Sequence, residues 1–194
     1  MFDSLVKNFN ITLECFASPL NSRLENYCSA FSDIDCYFGS YGSFFEISLT
    51  EGSYQANPPF TNTFMKLSYE KVSNALENNS SGPLSFAFVV PCWKEDEGWK
   101  ILMESPYKTA SILVPAQLHG YLHGAQHKYP SADAELRPSG FDTSIIFLQN
   151  YPGSVKWPVS DRASDEILKS FLVTTDESSR EKNIYIPKKL RGLS

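Results

Sequence analysis

A chain of 194 residues, 42% of them hydrophobic and 14% aromatic, can bury one substantial core but hardly two. Only 20% of its residues are charged, which excludes wholesale disorder, and it holds no run of 18 apolar residues able to cross a bilayer. The net charge of −5 argues against a general nucleic-acid binder, but leaves room for an enzyme that grips one nucleotide. Met1 to Asn8 lack the charged start and apolar run of a secretory signal. Cys15, Cys28, Cys36 and Cys92 form no CxxC pair, so they read as reduced thiols of an intracellular protein.

In chain order, residues 10–17 form the first expected strand. Ser18-Pro19 then offers an N-cap and a first-turn proline, and Leu20, Leu24, Cys28 and Phe31 recur at helical spacing, so a helix is expected. Phe38 to Gly42 is a glycine-punctuated turn. Two short strands are expected at 43–49 and 53–56, the second running into Asn57-Pro58-Pro59-Phe60. A helix follows, with Phe64, Leu67, Val72, Ala75 and Leu76 on its apolar side, and Asn78 to Pro83 stops it. Residues 84–90 are nearly all apolar, as a parallel strand buried on both faces requires. Further strands are expected at 111–114 and 143–148, and a last helix over about 161–172. One domain over residues 1–175 and a loose polar tail over 176–194 result. The alternation predicts an open, mostly parallel α/β sheet, with the last two strands as an antiparallel edge hairpin. The connection over 116–141 is long enough to suggest a functional loop.

Asn57-Pro58-Pro59-Phe60 carries the most chemistry. An aromatic amino group such as adenine's is a poor nucleophile, because its lone pair is delocalised into the ring. Two acceptors aimed at its two N–H bonds localise that pair. The Asn57 side-chain oxygen and the Pro58 carbonyl suit this role, since successive prolines preset the carbonyl direction. Phe60 offers a face for stacking. With an activated methyl donor the remaining task is positioning, so no general base is required. Both Ala17-Ser18-Pro19 and Asn57-Pro58-Pro59 fall at the carboxyl ends of expected strands, where open α/β sheets bind ligands.

Other residues are candidates on weaker grounds. His119, His123 and His127 recur four apart, but Gly120 and Gly124 disfavour the helix that would align them, so no metal site is expected. His127, with Gln126, instead suits a loop that contacts substrate. Asp33 and Asp35 lie where an acid can meet ribose hydroxyls, Asp35 being the one assigned to the cofactor. Trp93 follows the strongest strand and can stack on a base or on a cap's charged guanine, whereas Trp99 and Trp157 read as packing. Lys188-Lys189-Leu190-Arg191 is a short basic cluster too common to carry weight.

With these residues in hand, the chain resembles the catalytic part of the phosphorylated-CTD-interacting-factor family. The resemblance rests on Cys15-Phe-Ala-Ser-Pro-Leu-Asn21, Tyr27-Cys-Ser-Ala-Phe31, Phe38-Gly-Ser40, Gly52-Ser-Tyr-Gln-Ala-Asn-Pro-Pro-Phe60, Gly124-Ala-Gln-His127, Phe147-Leu-Gln-Asn150 and Lys156-Trp157, over about residues 12–172. It implies a Rossmann-like, class I S-adenosylmethionine-dependent methyltransferase fold. It implies N6-methylation of adenosine in RNA, at the cap-adjacent adenosine of capped mRNA. It makes Asn57, Pro58, Pro59 and Phe60 the catalytic motif. Cys15, Phe16, Ala17, Ser18, Pro19 and Asn21 stand where such folds contact the cofactor. A nuclear location follows by the same resemblance, and a protein partner would supply the family's N-terminal WW module and helical domain. Taken alone, the loop also suits a DNA adenine or a protein glutamine amide. A binding module that kept the fold without turnover is a third reading.

Overall fold

The computed structural model describes residues 1–79, 81–122 and 136–179. Its centre is strand β3, Leu84–Pro91, with every residue buried. Neighbouring side chains alternate between two cores. Phe86, Phe88 and Val90 face one core with Val72, Leu76 and Leu102. Ala87 and Val89 face the other with Leu5, Phe9, Phe147 and Ile167. The first core is covered by helices α3 (Asn62–Asn78) and α4 (Glu97–Met103), the second by α1 (Phe2–Phe9) and α6 (Asp161–Ser179). The arrangement is a mixed α/β sheet with helices on both faces.

Among the described residues, the sheet has five strands in the order β1-β2-β3-β7-β4. Strands β1 (Leu13–Glu14), β2 (Gly52–Ala56) and β3 pair in parallel. Strand β7 (Thr143–Gln149) is antiparallel to both β3 and β4 (Lys108–Val114), so it alone runs backwards. Two of the four ladders are therefore antiparallel, and the sheet is mixed where a mostly parallel one was expected. The antiparallel β4–β7 pair does sit at one edge. Parallel bridges Glu14↔Tyr27 and Tyr27↔Ser40 extend the other edge by two single-residue steps. A small sheet of β5 (Gly120–Leu122) and β6 (Leu136–Pro138) occupies part of the long connection.

Several expectations fail locally, each for a visible reason. Residues 18–31 form no long helix; only the short α2, Ser32–Asp35, follows. The Glu14 carboxylate accepts the N–H groups of Arg23 and Leu24, at 2.5 and 2.7 Å, and so diverts amides that a helix would use. The chain then returns along β1, where Ala17 N donates to Cys28 O and Cys28 N to Glu14 O. Residues 43–49 are a turn, not a strand, because Lys71 Nζ claims the carbonyls of Phe45 and Ile47. The first strand shrinks from the expected 10–17 to Leu13–Glu14. Helix α3 buries Met65, Ser68, Val72 and Leu76, leaving Phe64 and Leu67 exposed rather than on its core side. Three helices were not anticipated: α1, α4 and α5 (Tyr151–Lys156). Asp96 caps α4 by accepting from Gly98 N, so the stretch Glu95-Asp96-Glu97 opens a helix. Helix α6 continues to Ser179, past both its expected end near 172 and the proposed boundary at 175.

Candidate active site

A cleft of about 650 Å³ opens at the carboxyl ends of β1 and β2. One wall is Cys15, Phe16, Ala17 and Asn21; another is Asn57, Pro58, Pro59 and Phe60. The two segments are held in register by the β1–β2 ladder, in which Glu14 pairs with Gln55 and Cys15 N donates to Gln55 O at 2.8 Å. Asn57 follows two residues later. The sequence thus brings the first turn and the diproline loop to one place by strand pairing alone.

The diproline loop is fixed at its far end. Thr61 caps α3 through Phe64 N, and its own N–H donates to Pro59 O at 2.7 Å. That bond uses the Pro59 carbonyl. Among the described residues, the Asn57 side chain and the Pro58 carbonyl have no hydrogen-bond partner. Asn57 is exposed, Pro58 buried and Phe60 half-buried. Two acceptors without a partner among the described residues therefore sit on a rigid corner, beside an aromatic ring.

The first turn is built around two polar side chains. Ser18 N and Oγ both donate to Asn21 Oδ1, at 2.7 and 3.1 Å, while Ser18 O accepts from Asn21 and Ser22. Ser18 and Pro19 do not line the cleft; Ser18 shapes the turn that presents Asn21. Glu14, one residue before the cleft, is buried and ties down Arg23 and Leu24. Desolvation raises its carboxyl above the usual range, against the pull of those two N–H donors. Burial also drives the Cys15 thiol well up and the Cys28 thiol to about 11, so both stay protonated at neutral pH. Among the described residues, no Asp, Glu or His lines the cleft.

Asp35 is buried on α2 and does not line the cleft either. Trp93 sits just outside it, 6.3 Å from Phe60 between ring centroids. Gln126, His123 and His127 lie outside the described residues, as does the basic cluster at 188–191. His119 is buried, bonded through Nδ1 to Pro115 O and through Nε2 to Thr143 Oγ1, which makes it a clamp on β7. No metal-binding cluster of His, Cys, Asp or Glu exists among the described residues. Trp99 donates to Ser144 Oγ and Trp157 is buried under Lys156, both packing as expected.

Sequence reasoning missed half of the cleft. Cys28, Ser29 and Ala30 line it after the Tyr27 bridge, and Ser43, Phe44 and Phe45 after the Ser40 bridge. Phe16 packs against Phe44 and Phe45, with centroids at 5.0 and 6.0 Å, giving the cleft an aromatic side. A signal was present: Gly39 and Gly42, both at positive φ, mark the turn that delivers this segment.

A family model described as the phosphorylated CTD interacting factor 1 WW domain matches residues 1–124 of the 194. The chain belongs to the phosphorylated CTD interacting factor 1 family. The matched span folds here as α1, the parallel ladders and the cleft. Curated proteins named mRNA (2'-O-methyladenosine-N(6)-)-methyltransferase, from Mus musculus and Homo sapiens, are each 36% identical to it over 168 residues. That alignment covers 85% of the chain but 24% of each relative, so the chain spans about a quarter of their length.

Proposed function

We propose that the chain methylates N6 of adenosine in RNA with S-adenosylmethionine, at the cap-adjacent adenosine of mRNA. One observation carries the reading: two uncommitted acceptors, Asn57 and the Pro58 carbonyl, share a cleft with the first turn of the sheet. The names of the relatives, which state that activity, support the choice of substrate. So does the fold. Counting the two bridged steps, the sheet order by chain position is 3-2-1-4-5-7-6, with only the seventh reversed. With the two bridges counted as strands, that order is compatible with the doubly wound 3-2-1-4-5-6 order carrying one inserted antiparallel strand, which supports a class I methyltransferase fold.

The cofactor fits the residues present. A nucleoside needs flat apolar walls and a few neutral polar groups. Phe16, Phe44 and Phe45 supply the former, and Asn21, Ser29 and Ser43 the latter. When bound, S-adenosylmethionine supplies a methyl group already activated by its sulfonium. Asn57 Oδ1 and the Pro58 carbonyl accept the two N–H bonds of the adenine amine and turn its nitrogen lone pair out of the ring. Phe60 stacks the base. No titratable base is required in the cleft, since the amine loses its proton readily once alkylated. Orientation is the chief contribution, of the kind worth up to ~7–11 kcal/mol.

The test is transfer of labelled methyl from S-adenosylmethionine to capped RNA beginning with adenosine. Incorporation should appear as N6-methyladenosine. Asn57→Ala should lower kcat by roughly 100-fold or more, in line with removal of one preorganised hydrogen-bonding group, while cofactor affinity stays. Transfer undiminished in Asn57→Ala, or product confined to DNA or protein, would overturn the reading.

A further inference from the structure

We propose that Ser29, positioned by Ser40, supplies the hydroxyl that holds the ribose of the bound cofactor. This rests on the reading of the cleft as an S-adenosylmethionine site. Doubly wound nucleotide-binding sheets hold a ribose with an acidic side chain about 20 residues past the first turn. The acids of that region here are Asp33 and Asp35, and neither lines the cleft. Past the Tyr27 bridge the wall consists of Cys28, Ser29 and Ala30. Ser29 alone of these carries a hydroxyl, and it is 6% exposed. Its segment bridges to β1, whose other neighbour β2 runs into Asn57. The ribose of the cofactor lies between the sulfonium and the adenine, so its partner belongs on the side away from the diproline loop. Ser29 meets that condition.

The hydrogen bonds behind the wall leave Ser29 one proton to give. Ser29 Oγ and Ser40 Oγ lie 2.6 Å apart. Ser40 is not on the cleft wall, and its Oγ also accepts from Gly42 N at 3.1 Å. Were Ser29 the donor of the pair, the Ser40 proton would have no acceptor among the described residues, at a side chain only 9% exposed. A buried donor left unpaired is costly. Ser40 therefore donates to Ser29, and the Ser29 proton is left for the cleft. The backbone around it is fixed as firmly. Ser29 N donates to Gly42 O at 2.9 Å, Cys28 N to Glu14 O at 2.8 Å, and Ala17 N to Cys28 O at 2.9 Å. Gly42 has φ 85°, which a glycine adopts freely, and its N–H and carbonyl thereby serve Ser40 and Ser29 together. A neutral donor held in place this way suits an uncharged oxygen such as a ribose hydroxyl, which can accept its proton.

The test uses the full 194-residue chain and calorimetric titration with three ligands: S-adenosylhomocysteine and its 2′-deoxy and 3′-deoxy ribose analogues. One deoxy analogue should bind the unmodified chain about 2- to 13-fold more weakly than the intact ligand, which corresponds to ~0.5–1.5 kcal/mol for one neutral hydrogen bond. Ser29→Ala should lose a similar factor on S-adenosylhomocysteine and should no longer distinguish it from that analogue. Ser29→Cys, close in size and a weak donor, should behave the same way and covers the case in which the alanine variant fails to fold. Ser40→Ala should blur the same distinction; equal weakening of all three ligands would overturn its positioning role. Each comparison is between ligands on one preparation, so a partly unfolded sample does not imitate the result. If both deoxy analogues bind the unmodified chain as tightly as S-adenosylhomocysteine, or if the Ser29 variants keep the full preference, the ribose assignment is overturned while the cofactor reading stands. If the unmodified chain binds none of the three, the cofactor reading itself fails, and the assignment with it.

Discussion

Glu14→Ala isolates what holds the first turn in place. Glu14 is buried at the end of β1, and its Oε1 accepts two backbone N–H groups, from Arg23 at 2.5 Å and Leu24 at 2.7 Å. Alanine leaves both amides without their acceptor. A hydrogen bond to a charged group contributes about 1.5–3 kcal/mol, and the two losses overlap because one loop relaxation serves both. A net cost of roughly 2–4 kcal/mol follows. For a domain of this size that lowers Tm by about 5–15 °C. The same change frees residues 15–24, which include four cleft residues, so S-adenosylhomocysteine should bind at least tenfold more weakly. Glu14→Gln keeps one acceptor oxygen and should recover most of the Tm. The assay is thermal unfolding with and without S-adenosylhomocysteine. A Glu14→Ala variant that melts within 2 °C of the parent and keeps its ligand shift would refute the view that this carboxylate builds the turn.

Asn150→Asp should destabilise by about 3–5 kcal/mol, read as a shift in denaturation midpoint. Asn150 Oδ1 accepts from Leu84 N and Gly153 N, and Nδ2 donates to the carbonyls of Asn79 and Gly82, so aspartate sets a buried charge against two acceptors. Gly153→Ala should prevent proper packing of α5 on β3, because its Cβ would overlap the Leu84 carbonyl oxygen; proteolysis of the β7–α5 junction checks it. Glu166 accepts from Lys7, Asn8 and Arg162, which hold its carboxyl down to about 2. A depressed carboxyl stabilises above its ordinary value of 4.5 and loses that contribution as pH falls toward 2. Tm should therefore drop more steeply between these pH values in the parent than in Glu166→Gln.

Elements whose signal was local were legible in the sequence. The all-apolar run of β3 could bury itself only in the middle of a sheet, and β7 and α6 likewise announce themselves by pattern. The diproline loop was legible because proline restricts its own backbone. Elsewhere the pattern misled. Leu24 and Cys28 recur at helical spacing, yet the segment is irregular, because Glu14 offers its amides a better acceptor than a helical carbonyl. Such a side-chain competitor, nine residues away in sequence, has no periodicity to detect. Helix α1 escaped notice for the opposite reason: eight residues with no side-chain cap hold only two buried positions, Leu5 and Phe9, and depend on α6 for stability. The contact of Phe60 with Trp93 was beyond reach, since the two rings meet only through the order of the strands.

That order also explains why the cleft lies where it does. From β1 the chain passes outward through Tyr27 to Ser40, then crosses back to β2 on the other side of β1 and on to β3. The connections leaving the carboxyl ends of β1 and β2 therefore part in opposite directions, which is where an open α/β sheet leaves a crevice. A gap at this point is a consequence of topology and costs no local strain. The chain fills its walls with the residues that follow each strand end: Cys15-Phe16-Ala17, Ser29-Ala30, Ser43-Phe44-Phe45 and Asn57 to Phe60. Four segments spread over residues 15–60 thus converge without any one of them carrying a glycine-rich phosphate loop. Such a loop serves a pyrophosphate, and a cleft walled by phenylalanines and neutral amides instead suits a ligand without phosphate.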